Sequence, residues 1–382
     1  KLSYVDFAFI NEGVFSLLSI LETNLIDNIE KIPGIWFKDK DRKPQKGALG
    51  KIVLTNQMDK VMPGYAWDLL PKNKFVLDKY RAHFWHTNFL HDKRTPFAAI
   101  YTSLGCQFGC NFCMINIVNR VSHDERISAA NSKGMRFWSP ELILKEFEKL
   151  WEYGVRTLRI SDEMFFLNRK YYVPILEGLI KRSIKFNLWA YARVDSVRKD
   201  QLELFKKAGV NWLALGIESG NQDVRVEIEK GKFRQVNIRD VVKNIKDAGI
   251  YVLGNYIFGF PEDNIKTMTE TLDLAIDLQC EHSNFYSAQA LPGSPLYLYA
   301  KDQNWDIPET YEEFAFLSHA CKPLRTKYLS NKEVLKFRDD AWHKYFSNKN
   351  YLDLVQKTFG ENAKKNIIEL SKIKLRRKIL EN

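Results

Sequence analysis

The chain has 382 residues, 45% apolar and 27% charged, with a formal net charge of +11. This composition fits a globular protein large enough for two or three domains or one large barrel, and 25 Phe, 17 Tyr and 9 Trp argue against a mainly disordered chain. No uninterrupted apolar run approaches the roughly 18 residues of a membrane span, and no basic-then-apolar leader opens the sequence.

Five cysteines, three of them within eight residues, do not form a secreted disulfide framework. They point instead to a reducing cytoplasm and a metal. Part of the positive excess lies in residues 361–382, where seven Lys and Arg stand against three Glu. A solvated basic helix accounts for that run, and with no recognisable nucleic-acid-binding module a nucleic-acid partner is not expected.

In chain order, residues 4–10 read as a strand and 13–31 as a helix, with apolar spacing at Val14, Leu17, Leu18, Leu21, Leu25 and Ile29. A further strand is expected at 33–37. The opening Lys1-Leu2-Ser3-Tyr4-Val5-Asp6 lacks a Met and already has a strand-like pattern, which reads as a fragment whose upstream domain is missing. Residues 39–95 are weakly patterned but rich in aromatics, as expected of a connector packed over a neighbouring domain.

From residue 97 the pattern becomes regular. Strand-like runs at 97–104, 155–161, 184–192, 210–217, 251–259 and 282–291 alternate with helical stretches near 140–153, 171–182, 197–208, 235–248 and 264–279. Ser139 suits an N-cap and Pro140 the first helical position, while two helices are expected to stop at Gly209 and Gly249. Such alternation implies parallel strands with right-handed crossovers, in either an incomplete barrel or a doubly wound sheet. Beyond residue 300, helices are expected at 331–346, 350–358 and 361–380. That segment is expected to cover the mouth or the bottom of the barrel.

Directly after the first strand of the repeat comes Gly105-Cys106-Gln107-Phe108-Gly109-Cys110-Asn111-Phe112-Cys113. Three thiolates at C-x3-C-x2-C spacing can wrap one iron–sulfur cubane and leave one iron open for a ligand. Structural zinc prefers two paired arms; His123 could serve as a further ligand, but a second arm is absent. In parallel barrels the strand-to-helix loops carry the active site, which favours chemistry at this position. After the second strand, Asp162 and Glu163 could accept hydrogen bonds from an ammonium group. After the third, Arg193 could bind a carboxylate or pair with Asp162, Glu163 or Asp195.

C-x3-C-x-Phe-C after the first barrel strand resembles the signature of the radical S-adenosylmethionine superfamily, over roughly residues 97–300. The resemblance implies an α/β fold: a partial (β/α)6 TIM-like barrel with an N-terminal αβ remnant and a C-terminal helical extension. It also implies a [4Fe–4S] cluster on Cys106, Cys110 and Cys113, with S-adenosylmethionine on the open iron and reductive cleavage to a 5′-deoxyadenosyl radical. Asp162 or Glu163 then takes the methionine amino group, and Arg193 is among the expected cofactor-binding residues. Glu218 takes the place of the ribose contact, Lys230 that of the cation for the methionine carboxylate, and Phe112 and Gly259 fall where relatives meet the cofactor. A small or medium organic substrate and an electron donor such as flavodoxin or ferredoxin follow from the same resemblance.

Residues 5–13, Ile32-Pro33-Gly34-Ile35 and Met62-Pro63-Gly64-Tyr65-Ala66-Trp67 resemble the end of a cobalamin-binding domain and its connector, as in the cobalamin-binding branch of the superfamily. The expected division is therefore a remnant of that domain at 1–38, a connector at 39–95, the barrel at 96–300 and a helical region at 301–382. Methyl transfer and ring formation both remain open. A non-catalytic iron–sulfur or zinc protein and a radical enzyme modifying RNA are the competing readings.

Overall fold

The computed structural model describes residues 5–23, 25–70, 85–88, 96–122, 124, 126–230 and 236–381. The chain opens with β1 (Phe7–Phe9), α1 (Val14–Thr23), β2 (Ile35–Lys38) and β3 (Pro44–Lys46), and the three strands form an antiparallel sheet in the order β1-β2-β3. This sheet runs across the boundary expected at residue 38. Buried Ile20, Ile32 and Ile35 form its core. It is tied to the rest of the molecule by Glu12, which pairs with Arg136 and accepts a hydrogen bond from Val53 N–H at 2.9 Å.

The main sheet has six strands: β4 (Phe97–Ile100), β7 (Thr157–Ile160), β8 (Asn187–Arg193), β9 (Val210–Glu218), β10 (Tyr251–Phe258) and β11 (His282–Ser287). All neighbours pair in parallel, in the order β11-β10-β9-β8-β7-β4. The spatial order follows the chain order with no reversal, so the sheet winds one way and curls into a half-barrel rather than a doubly wound sheet.

Outside the sheet lie α2 (Pro140–Glu152), α3 (Arg169–Lys181), α4 (Leu202–Lys207), α5 (Ile238–Asp247) and α6 (Ile265–Leu278). Ser139 caps α2 through Leu142 N–H, with Pro140 at its first position. Strand residues alternate between faces. Leu158, Ile160, Leu188, Leu213, Leu215, Val252 and Phe285 join Ile143, Phe147, Ile175, Leu176, Met268 and Leu272 of the helices in one large core.

The run at 97–104 is not one strand. After Ile100 the chain leaves the sheet, because the Thr102 and Ser103 side chains turn to a buried carboxylate, that of Asp162. It continues as β5 (Ser103–Cys106), which pairs antiparallel with the unforeseen β6 (Gly134–Phe137). The hairpin-like pair lies apart from the main sheet and carries the first cysteine.

After β11 follow α7 (Pro295–Asp302), α8 (Asn331–Phe346), α9 (Lys349–Phe359) and α10 (Glu361–Ser371). The helix expected over 361–380 ends at Ser371, and a short turn, Lys378–Glu381, follows separately. Arg338 of α8 donates to the Phe285 carbonyl at 2.8 Å, and Tyr345 donates to the Cys280 carbonyl at 2.9 Å. Phe359 of α9 packs on Trp212 and Tyr251, closing the end of the barrel where the strands begin. Trp85 fills the same end, 5.0 Å from Trp189 and 4.9 Å from Trp212 between ring centroids. Among the described residues, no helix is long and apolar enough to cross a membrane.

A candidate metal and cofactor site at the mouth of the half-barrel

The cysteine loop begins where β5 ends. Gly105 has φ of +83°, and a Cβ there would lie 2.4 Å from the Gly134 carbonyl oxygen, so only glycine lets β5 and β6 close this tightly. Asn116 ties the loop together: it accepts from Cys106 N–H at 2.7 Å and donates to the Phe108 carbonyl at 2.8 Å. Backbone N–H groups of Phe108 and Ile115 point at the sulfurs of Cys106 and Cys113, each at 3.5 Å. No disulfide involves any of the five cysteines.

Burial pushes the Cys106 thiol up and that of Cys113 up to about 11, with the neighbouring cysteines adding to the rise. These are not reactive, cation-activated thiolates; they are sulfurs that a metal centre would have to deprotonate. Among the described residues, no three His, Cys, Asp or Glu converge as a single-ion site does, and His123 lies outside the described residues. The three sulfurs lie close enough to raise one another, with backbone N–H donors turned towards those of Cys106 and Cys113.

Asp162 and Glu163 follow β7, and the fold separates their tasks. Asp162 is fully buried, accepting from Thr102 N–H and Thr102 Oγ1, both at 2.6 Å, and from Ser103 Oγ. Burial raises it to about 6 against the opposing pull of those donors. Its oxygens hold the turn from β4 into the cysteine hairpin. Glu163 is only partly buried, and no other described residue donates a hydrogen bond to its side chain. Burial raises it to about 7, with the Asp162 charge adding to the rise and Arg159 countering it. Its charge in turn acts on Cys106, Cys113 and Tyr101, so it faces the cysteine loop.

Arg193 ends β8 and is buried. It forks onto Asp195, Nε to Oδ1 at 2.9 Å and Nη2 to Oδ2 at 2.8 Å, with its guanidinium 3.7 Å from the Phe108 ring centroid. Of the partners considered from sequence, Asp195 is the one it takes, and it braces the cysteine loop through Phe108. Glu218 ends β9 with φ of +65°, an uncommon conformation for a residue with a side chain. It coincides with a register shift against β10, where Tyr256 pairs with Glu218. The strain turns the buried carboxylate at the strand's C-terminal end. Its charge acts on Tyr286 of β11, which burial pushes up to about 12.

Phe112 is half-buried, 5.5 Å from Phe260. It lines two clefts, one of about 250 Å³ with Ile257, Tyr286, Gln289 and Phe316, the other of about 360 Å³ with Val224, Ile228, Phe260 and Tyr299. Gly259 has φ of +89°, and a Cβ there would come within 2.4 Å of the Val334 side chain. Packing against α8 therefore accounts for this glycine. Lys230 ends the helical turn Val226–Lys230, but its side chain lies outside the described residues.

Sequence reasoning did not single out Thr102, Ser103 and Asn116, whose polar side chains order the loop, nor the barrel interior. There Arg159 of β7 donates to Tyr191 Oη at 2.8 Å and lies over the rings of Trp189 and Tyr191. The signal was present: Thr157, Arg159 and Ser161 put polar groups on one face of an otherwise apolar strand.

Residues 100–275 match the family model described as Radical SAM superfamily. An uncharacterized methyltransferase of Pyrococcus horikoshii is 26% identical over 294 residues, 77% of this chain and 57% of the relative. The anaerobic magnesium-protoporphyrin IX monomethyl ester cyclase of Cereibacter sphaeroides is 22% identical over 361 residues, 91% of this chain and 52% of the relative. Among solved structures, the cobalamin-dependent S-adenosylmethionine radical enzyme OxsB superposes with a TM-score of 0.58 at 14% identity, covering 94% of this chain and 62% of that one. The radical S-adenosylmethionine methyltransferase TsrM from Kitasatospora setae gives 0.55 at 16% identity, covering 78% and 54%. The chain thus spans about half the length of the curated relatives it matches. The cysteine loop, the strand-end carboxylates and most of the half-barrel fall within the segment 100–275 that matches the radical SAM family model.

Proposed function

We propose that this chain forms the catalytic barrel of an enzyme that cleaves S-adenosylmethionine reductively and uses the product to modify an organic substrate, by methyl transfer or cyclisation. The observation that carries the reading is the division between Asp162, spent on the cysteine hairpin, and Glu163, to which no other described residue donates a hydrogen bond and whose charge reaches the cysteines. Cys106, Cys110 and Cys113 would hold a [4Fe–4S] cluster, which when bound would supply the electron for reductive cleavage of S-adenosylmethionine.

The chain's own residues bind and orient. Glu163 accepts the methionine ammonium, and Lys230 answers the carboxylate. Glu218, aimed by its strained backbone, accepts the ribose hydroxyls. Phe112 and the Phe258–Phe260 turn that includes Gly259 flank the adenine, and Arg193, fixed by Asp195, keeps Phe108 and the loop in place. The reactions named for the relatives, a methyltransferase and a ring-forming cyclase, support methyl transfer or cyclisation here. The two cobalamin-linked structural neighbours support a cobalamin partner, and the electron comes from a small carrier such as flavodoxin or ferredoxin.

Part of the tail's positive charge is spent within the fold, which weakens the competing RNA reading. Arg377 is buried against Asp339, and Lys364, Lys372 and Arg376 pair with Asp353, Glu369 and Glu381. The test is anaerobic reconstitution with iron and sulfide, then S-adenosylmethionine and dithionite, with 5′-deoxyadenosine measured. Its formation, lost in Cys113→Ala, is the expected result; its absence from protein carrying a full cluster would overturn the reading for this chain.

A further inference from the structure

The half-barrel holds two inward arginines in unlike states. Arg193 is committed to Asp195 through two hydrogen bonds. Arg159 forms no ion pair with any described carboxylate. Of its five N–H donors, one meets Tyr191 Oη, and its Nε is buried without an acceptor. A buried, unanswered donor on a charged group is costly, so a fold keeps one where something completes it.

The surroundings say what completes it. Arg159 lies 4.6 Å from the Trp189 ring centroid and 5.2 Å from that of Tyr191, which fixes its plane. On the neighbouring edge strand, Ala99 is its register partner and is exposed, as is Tyr101, so this side of the barrel interior is open to a ligand. The opposite end is closed by Trp85, Trp212 and Phe359. The titratable groups that feel Arg159 are Glu163, Tyr101, Tyr191 and Tyr286. Once Glu163 holds the cofactor's ammonium and Glu218 the ribose, Arg159 is left facing the barrel interior with no carboxylate paired to it among the described residues.

We propose that Arg159 anchors an oxyanion of the substrate, a carboxylate or a phosphate-type group, inside the half-barrel, so that the substrate is an anionic molecule with an apolar or aromatic body. The inference rests on the functional reading above, since it assigns Glu163 and Glu218 to the cofactor. The apolar body would lie against Tyr191 and Tyr286, and the guanidinium's planar edge would meet the anion.

The test titrates the full, anaerobically reconstituted chain, with and without S-adenosylmethionine, using three probes of matched body: benzoate, phenylphosphonate and the neutral benzamide. Saturation-transfer NMR reads their binding. Either anion should bind about tenfold or more tighter than benzamide, the size of one charged hydrogen-bonded contact, and Arg159→Gln should erase the difference. The tighter anion separates a carboxylate from a phosphate-type substrate. Arg159→Met, which keeps an apolar chain over Trp189, stands in if the amide variant does not fold. Equal binding of all three probes by the wild type, or an anion preference that survives the substitution, would overturn the proposal. So would loss of S-adenosylmethionine binding with the probes unaffected, since Arg159 would then serve the cosubstrate. The titration needs no turnover, so failure to form 5′-deoxyadenosine would count against the enzymatic reading and leave this result readable.

Discussion

The two ends of the half-barrel are built from the same six strands and solve opposite problems. Where the strands begin, Trp85, Trp189, Trp212, Tyr251 and Phe359 pack ring on ring, and Trp212 is fully buried. Where they end, carboxylates at Asp162, Glu163 and Glu218 are buried or nearly so, two of them raised by burial and one on a strained backbone. The floor gains stability by excluding water, whereas the mouth gives some up to hold charge where a ligand can meet it. That division is what parallel barrels expect of their two faces, and it can be broken from either side.

The largest effect is expected at the mouth and should leave the floor untouched. Cys106→Ala should abolish 5′-deoxyadenosine formation and the visible absorbance of the reconstituted cluster, while circular dichroism melting of the metal-free protein stays within a few degrees of wild type. A melting temperature that collapses with the cluster would mean that the cysteine hairpin is part of the folding core rather than a site mounted on it. At the floor the balance reverses. Trp212→Ala removes a fully buried ring and should cost about 3–5 kcal/mol of unfolding free energy. Denaturant titration checks this, and the surviving folded fraction should bind S-adenosylmethionine as the wild type does.

Glu163 sharpens the comparison through pH. Its folded value, about 7, lies above the ordinary 4.5, so folding is favoured with the group neutral. The stability it allows is fully present below about pH 4.5 and is lost as pH rises through 7. Glu163→Gln should therefore be more stable than wild type at pH 8 by about 2 kcal/mol, allowing for the partial solvent exposure of the group, and no more stable at pH 4.5. At pH 8 the same variant should bind S-adenosylmethionine at least about tenfold more weakly, the size of a lost charged hydrogen bond, by equilibrium dialysis. A variant that binds normally would move the ammonium contact away from Glu163.

Much of this was legible in the sequence, for reasons that differ between the regions. The strands and helices of the barrel repeat every few tens of residues with their apolar faces in phase, so their order and approximate bounds could be read directly, and the expected helix at 331–346 coincides with α8. The cysteines were legible because ligand spacing is local. What the sequence hid depended on long-range partners. The break between β4 and β5 has no Gly or Pro to announce it; it exists because Thr102 and Ser103 reach a carboxylate about sixty residues later. For the same reason the neighbours Asp162 and Glu163 could not be told apart until their burial was known. Gly259 reads as a cofactor position in the sequence, and only the fold shows that it also packs against Val334; Arg159 was passed over although its strand face is polar throughout.

Glu218 carries the smallest and most pointed prediction. Its φ of +65° places a side-chain-bearing residue in the left-handed region at the end of a buried strand, at a cost of about 1–3 kcal/mol that nothing in the apolar packing requires. Glycine would relieve that strain, but it would also give the unfolded chain more freedom, a loss of roughly 0.5–1 kcal/mol. The relief matches or exceeds that loss, so Glu218→Gly should be as stable in urea as the wild type or more stable by up to about 2 kcal/mol. Ile217→Gly, one residue earlier and packed in the core, should instead lose stability. If Glu218 is held in its strained conformation for the ribose, the glycine variant should keep its fold and lose cofactor affinity, which dialysis with S-adenosylmethionine and with methionine alone would separate: the first weakened, the second unchanged. A glycine variant that unfolds as readily as Ile217→Gly would instead make Glu218 part of the packing and return the mouth of the barrel, at this position, to the rules of its floor.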